Sequence, residues 1–145
     1  MATADRTAQT VWKGDLPHGR GTVVLTSSGA AGELPVTWGS RAHAPEGRTS
    51  PEELLAAAHS SCFSMALSKV LAEQGHAPER LEVGAEVSFD AGALKITTSK
   101  LRVRGRVPGI DAAAFEQAAG AAAQGCPVSG ALSGVEISVE AQLES

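Results

Sequence analysis

Cys62 and Cys126 are the only two thiols of the chain and stand far apart in it, with no C-x-x-C pair and no four-ligand set. Such a pair reads either as two inert core residues or as a redox couple that folding brings together. A thiol does chemistry as the thiolate, and burial alone raises its pKa. Cys62 sits among Ser60, Ser61, Phe63 and Ser64, with no Lys or Arg within a helical turn and only His59 as a local candidate. If Cys62 reacts, a cation must reach it from elsewhere in the fold, and Arg41, just before the helix, is a natural choice. Cys126 lies in Gly125-Cys126-Pro127, at a chain break opening a Pro-initiated helix. There it faces orphan backbone N–H groups that favour thiolate, and a junction can shift by the few ångströms that a disulfide requires. Glu52 stands in a first helical turn, where its charge, like that of Glu53, complements the helix dipole. His59 and Cys62 form an H-x-x-C spacing compatible with two metal ligands, but no third or fourth ligand follows at metal spacing, and no metal is expected. His18, His43 and His76 fall in turn-like segments and are expected to be solvated.

The elements that must position these residues read as an α+β domain with antiparallel pairing, in the order β-β-β-α-β-β-α-α-β. Ala8 to Lys13, Thr22 to Thr26 and Leu34 to Trp38 read as strands, and Gly39 to Arg48, holding Arg41 and His43, as a polar connection. Ser50-Pro51-Glu52-Glu53 is a helix start, with Ser50 as N-cap, Pro51 at the first helical position and Glu53 closing a capping box. The helix runs to Gln74, with Gly75 as its C-terminal cap. Its first two thirds are small or apolar nearly all round, which predicts a long, buried central helix. Leu81 to Phe89 and Ala93 to Val107 alternate as strands. The apolar phase of the second changes from even to odd, which predicts a bulge near Thr98 to Lys100. Asp111 caps a second helix, Ala112 to Gln124. Pro127 opens a short third, to Leu132, and Val135 to Leu143 alternates as the last strand.

The chain has 145 residues, a length that fits one domain, residues 1–145. Its formal net charge of -4 and pI near 5.5 lack the footprint of a phosphate-backbone binder, so no nucleic acid partner is expected. Arg102, Arg104 and Arg106, spaced by two, read as the solvated face of a strand. No segment is expected to span a membrane, and Met1 to Lys13 shows no secretory signal, so the default compartment is the reducing cytoplasm. With aromatic residues at 3%, small side chains fill the core, and the chain gains from burying more surface in an oligomer.

Ser50 to Leu55, the run Ala57-Ala58-His59-Ser60-Ser61-Cys62-Phe63-Ser64-Met65-Ala66-Leu67, and Gly125-Cys126-Pro127-Val128-Ser129 closely resemble the osmotically inducible protein C family (OsmC), sister of the organic hydroperoxide resistance proteins (Ohr). Val107 to Asp111 and Trp12 to Asp15 also match, and the likeness covers nearly the whole chain. Ser50 replaces the usual Asn, and Ala42-His43-Ala44-Pro45 after Arg41 departs from the pattern. The resemblance implies an α+β fold in which two chains intertwine as a homodimer with their central helices packed together. It implies a thiol-dependent peroxidase of oxidative and osmotic stress defence that reduces organic hydroperoxides, and hydrogen peroxide less well, without metal or other cofactor. By that resemblance Cys62 is the nucleophile and Cys126 the resolving thiol. Arg41 is the activating cation held by Glu52, and a dithiol, possibly on a lipoylated protein, regenerates the site. Glu52 and Cys62 are ten residues apart on one helix, about 15 Å along its axis. Arg41 and Glu52 are therefore expected from one chain and Cys62 and Cys126 from the other. Leu55, Phe63 and Met65 are expected to form an apolar wall around Cys62. A general thiol–disulfide oxidoreductase, and a non-catalytic dimeric stress or binding protein with buried thiols, are the competing readings.

Overall fold

The structure, a computed structural model, describes residues 3–144. Its elements are β1 (Gln9–Lys13), β2 (Arg20–Val24), β3 (Glu33–Val36), α1 (Trp38–Ala42), α2 (Pro51–Glu73), β4 (Arg80–Asp90), β5 (Lys95–Arg106), α3 (Ala112–Gly125), α4 (Pro127–Ala131) and β6 (Glu136–Leu143). The class is α+β, as the pattern predicts. The chain divides into two compact units, one ending at Pro51 and one beginning at Glu52, each with its own three-stranded sheet.

In the N-terminal unit, β1, β2 and β3 pair antiparallel in sequence order. The Trp12 indole lies across Gly19 and Gly21, where an added Cβ would stand 2.9 Å from the ring, and its Nε1 donates to the Gly14 carbonyl at 2.9 Å. The expected polar connection after β3 instead begins with a short helix, α1. Thr37 and Ser40 form its capping box: Thr37 Oγ1 accepts from the Ser40 amide and Ser40 Oγ from the Thr37 amide, both at 3.0 Å. Ser40 Oγ also donates to the Thr49 carbonyl at 2.7 Å, which ties the following loop to α1. Gly39 and a serine in place of the usual Glu or Gln hide this helix from a propensity reading.

In the C-terminal unit, α2 starts at Pro51, and Gly75, at φ +84°, closes it in the left-handed conformation. Its buried residues after Glu52 are His59, Phe63, Leu67 and Leu71, every fourth position, so α2 buries one stripe rather than its whole circumference. Ala57, Ala58, Ser61 and Met65 remain exposed. By length and composition α2 also reaches the range of a membrane span, against the expectation that no segment does. The leucines contribute most to that average, and Leu67 and Leu71 are spent, with Phe63, on the buried core stripe. β4 and β5 pair antiparallel, whereas β5 and β6 pair parallel, from Thr98 opposite Glu136 to Gly105 opposite Leu143. This corrects the all-antiparallel expectation: α3 and α4 form a crossover that returns the chain to the start of the sheet, and the next strand must then run with β5. The bulge is present. Ser88 faces Thr98 and Phe89 faces Ile96, so Thr97 is the unpaired residue, just before the predicted span. Beyond it Ser99, Leu101, Val103 and Gly105 turn inward. There they meet Phe63, Leu67 and Leu71 of α2 and Phe115, Ala118, Ala119 and Ala122 of α3. Arg102, Arg104 and Arg106 point to the outer face, paired with Glu140 and Glu144.

Candidate active site

Cys126 is the hinge between two helices. It has extended backbone angles (φ −68°, ψ 125°), donates its amide to the Ala122 carbonyl at 2.9 Å to end α3, and precedes Pro127 at the start of α4. α3 approaches the sheet closely because its inner face is Ala118, Ala119 and Ala122, and this seats Cys126 in the core at 1% exposure. Cys62, on α2 beside the buried stripe, is half-buried and packs against the same core. The two thiols are close enough to perturb each other's ionisation. Folding therefore brings together the two cysteines that the sequence leaves far apart.

Their electrostatics differ. Burial pushes the Cys62 thiol up, the Cys126 sulfur raises it further, and the Val128 amide offsets part of the rise. Burial also pushes Cys126 up, but the hydrogen bond from Cys62, the amides of Ser129 and Val128 and the Ser129 side chain outweigh it and bring Cys126 below an ordinary thiol. Within this unit Cys126 is the readier anion, and Cys62 needs a cation to become one, as its local sequence implies.

Glu52 opens the C-terminal unit in the first turn of α2 at 6% exposure, a burial that a helix-dipole role alone does not require. Arg41 belongs to the N-terminal unit, half-buried in the last turn of α1. Of the expected apolar wall, Phe63 is fully buried in the core and Met65 is 71% exposed, while Leu55 is half-buried. Phe63 is core because it lies on the stripe, four residues from His59 and Leu67.

The sequence reading missed the role of His59. Its side chain has no exposed surface; Nδ1 lies 2.6 Å from Ser99 Oγ and Nε2 2.9 Å from Ser129 Oγ. Both ring nitrogens are thus engaged by hydroxyls, and the H-x-x-C spacing is not a ligand pair. Its i+4 spacing to Phe63 was the available signal, since a polar side chain on a core stripe must find partners. His18, by contrast, is solvated and pairs with Asp15 at 3.1 Å.

A family model described as OsmC-like protein matches residues 44–140. The chain is 41% identical over 145 residues to Peroxiredoxin OsmC of Escherichia coli (strain K12), covering 99% of each. It is also similar to the solved structure of an organic hydroperoxide resistance protein OsmC from Legionella pneumophila, with TM-score 0.73, 24% identity and coverage of 98% and 99%. The organic hydroperoxide resistance protein OhrB of Bacillus subtilis aligns with TM-score 0.66, 24% identity and coverage of 95% and 98%.

Proposed function

Because the chain belongs to the OsmC-like protein family, we propose that it is a cysteine-based peroxidase whose substrates are organic hydroperoxides. The observation that carries this reading is the contact between the half-buried Cys62 and the buried Cys126 in one core. The Cys62 thiolate attacks the distal peroxide oxygen, the O–O bond breaks, and the alkoxide leaves and takes a proton as the alcohol. Cys62 is left as a sulfenic acid. Cys126 attacks that sulfur, an S–S bond replaces the S–O bond, and the hydroxide leaves as water. A dithiol reductant in the cytoplasm reopens the disulfide by exchange.

The raised Cys62 thiol needs a cation, and Arg41 is assigned that task, with Glu52 gripping its guanidinium fork. The helical separation of Glu52 from Cys62 supports a homodimer in which Arg41 and Glu52 of one copy serve Cys62 and Cys126 of another. The exposed Ala57, Ala58, Ser61 and Met65 face of α2 suits a second copy, since small residues let helices approach closely.

The test is consumption of cumene hydroperoxide with dihydrolipoamide as reductant. Cys62→Ser abolishes turnover. Cys126→Ser performs one turnover and then stalls or over-oxidises. Arg41→Ala lowers peroxide reduction by at least about a hundredfold, the scale of a lost electrostatic stabiliser, while small oxidants still form the disulfide. Full activity in Cys62→Ser would refute the reading, and full activity in Arg41→Ala would refute the assigned cation.

A further inference from the structure

Cys126 is not the end of its polar neighbourhood. Ser129 Oγ, one turn into α4, lies 2.9 Å from His59 Nε2, and His59 Nδ1 lies 2.6 Å from Ser99 Oγ of β5. Ser99 and His59 have no exposed surface and Ser129 is 7% exposed, so water does not compete for these bonds. Every buried side-chain nitrogen and oxygen among the described residues has a partner.

Hydrogen-bond accounting fixes a direction along this chain. Burial holds the His59 pKa below the ordinary imidazole value, so the ring is neutral, with one N–H and one lone pair. Ser129 stands in the first turn of α4, three residues after Cys126, and its side chain favours the Cys126 anion, the sense of an O–H turned towards the sulfur. Its oxygen must then accept, and the donor within reach is His59 Nε2–H. Nδ1 is left as the acceptor, and the Ser99 hydroxyl donates to it. Each donor along the line is polarised by the one behind it.

We infer that Ser99, His59 and Ser129 form a buried relay that aims the Ser129 O–H at the Cys126 sulfur, with His59 and Ser99 acting as positioning residues for the resolving thiol. This rests on the assignment of Cys126 as the resolving thiol. In the resolving step the Cys126 thiolate forms the S–S bond and the S–O bond of the Cys62 sulfenic acid breaks. The departing hydroxide takes up the equivalent of the proton that Cys126 gave up on ionising and leaves as water. The Ser129 proton stays on oxygen throughout: the relay lowers the energy of the attacking anion and does not itself become charged. The groups that bear on Cys126 within this unit are the Cys62 thiol and, through Ser129, the His59 ring, both from α2. The Val128 and Ser129 amides come from α4, and the neutral Ser99 hydroxyl acts from β5 at the far end.

The test titrates Cys126 by its rate of iodoacetamide alkylation against pH in a Cys62→Ser background, with folding checked by circular dichroism. Ser129→Ala lowers alkylation at pH 6 about tenfold, the loss of one hydrogen bond to a charged group. Ser99→Ala, whose site touches no sulfur, lowers it about threefold by freeing the ring to move its proton to Nδ1. Ser99→Thr restores the parent value. A purely structural serine would alter stability and leave this titration in place. If His59→Leu does not fold, the serine variants decide. A second measurement uses chains with both cysteines, one equivalent of cumene hydroperoxide and dimedone to trap sulfenic acid; trapped Cys62 rises in Ser129→Ala and Ser99→Ala relative to the native chain. Alkylation curves for Ser129→Ala and Ser99→Ala within twofold of the parent overturn the relay. A native chain that forms neither trapped sulfenic acid nor disulfide overturns the peroxidase assignment instead, and the alkylation curves still judge the relay.

Discussion

His59 has a thermodynamic signature separate from its effect on sulfur. Burial lowers its pKa in the folded chain, while the unfolded chain titrates near the ordinary value of 6.5. Below that pH the unfolded state binds a proton that the folded state refuses, so folding stability is fully present above pH 6.5 and declines as pH falls towards the folded value. The stability advantage of the native chain over His59→Gln should therefore narrow between pH 7 and pH 5, as urea denaturation will measure. An advantage that stays constant across that range would show that the ring is not held neutral. Cys62 and Cys126 were legible as candidates because the chain has only two thiols and one precedes Pro127. The His59 network was not, because its partners Ser99 and Ser129 lie 40 and 70 positions away, with no local pattern to tie them to α2.

Among the elements, β5 and α3 set the depth of the core. An added Cβ at Gly105 would stand 2.5 Å from Phe115 Cζ, so the absence of a side chain on β5 makes the space that the ring fills. Gly105→Ala should cost about 1–3 kcal/mol by overpacking, measured as a shift in denaturation midpoint. Gly105→Ala with Phe115→Leu should recover part of the loss. Retention of native stability in the single variant would show that Phe115 can swing away. The start of α2 was readable because Ser50, Pro51 and Glu53 all mark the same boundary, and the phase change along β5 located its bulge to within a residue. The direction of β6 was not readable. Alternation identifies a strand and its inner face but carries no record of which neighbour it joins or which way it runs.

For the whole molecule, the proposed exchange of residues between copies makes a quantitative prediction. Neither Arg41→Ala nor Cys62→Ser should turn over alone. When the two are unfolded together and refolded in equal amounts, half of the dimers are mixed and each holds one intact site, so about a quarter of native activity returns. No recovery would place each site within one copy. Dilution of the native protein below its dimer dissociation constant should likewise abolish turnover, read as specific activity against concentration. The scarcity of aromatic residues is what suggests an oligomer in the sequence; which face of α2 is left for one is not legible there, since the helix looks apolar all round until Phe63, Leu67 and Leu71 are seen to share the inner stripe. The Val128 amide has a consequence of its own, because one N–H answers to both sulfurs. It favours charge on either sulfur, but two thiolates side by side repel, so the ionisation of one holds the other as a thiol. A guanidinium that drew the charge to Cys62 would therefore keep Cys126 protonated until the first sulfur has met peroxide, and the order of the two attacks would be written into the pair.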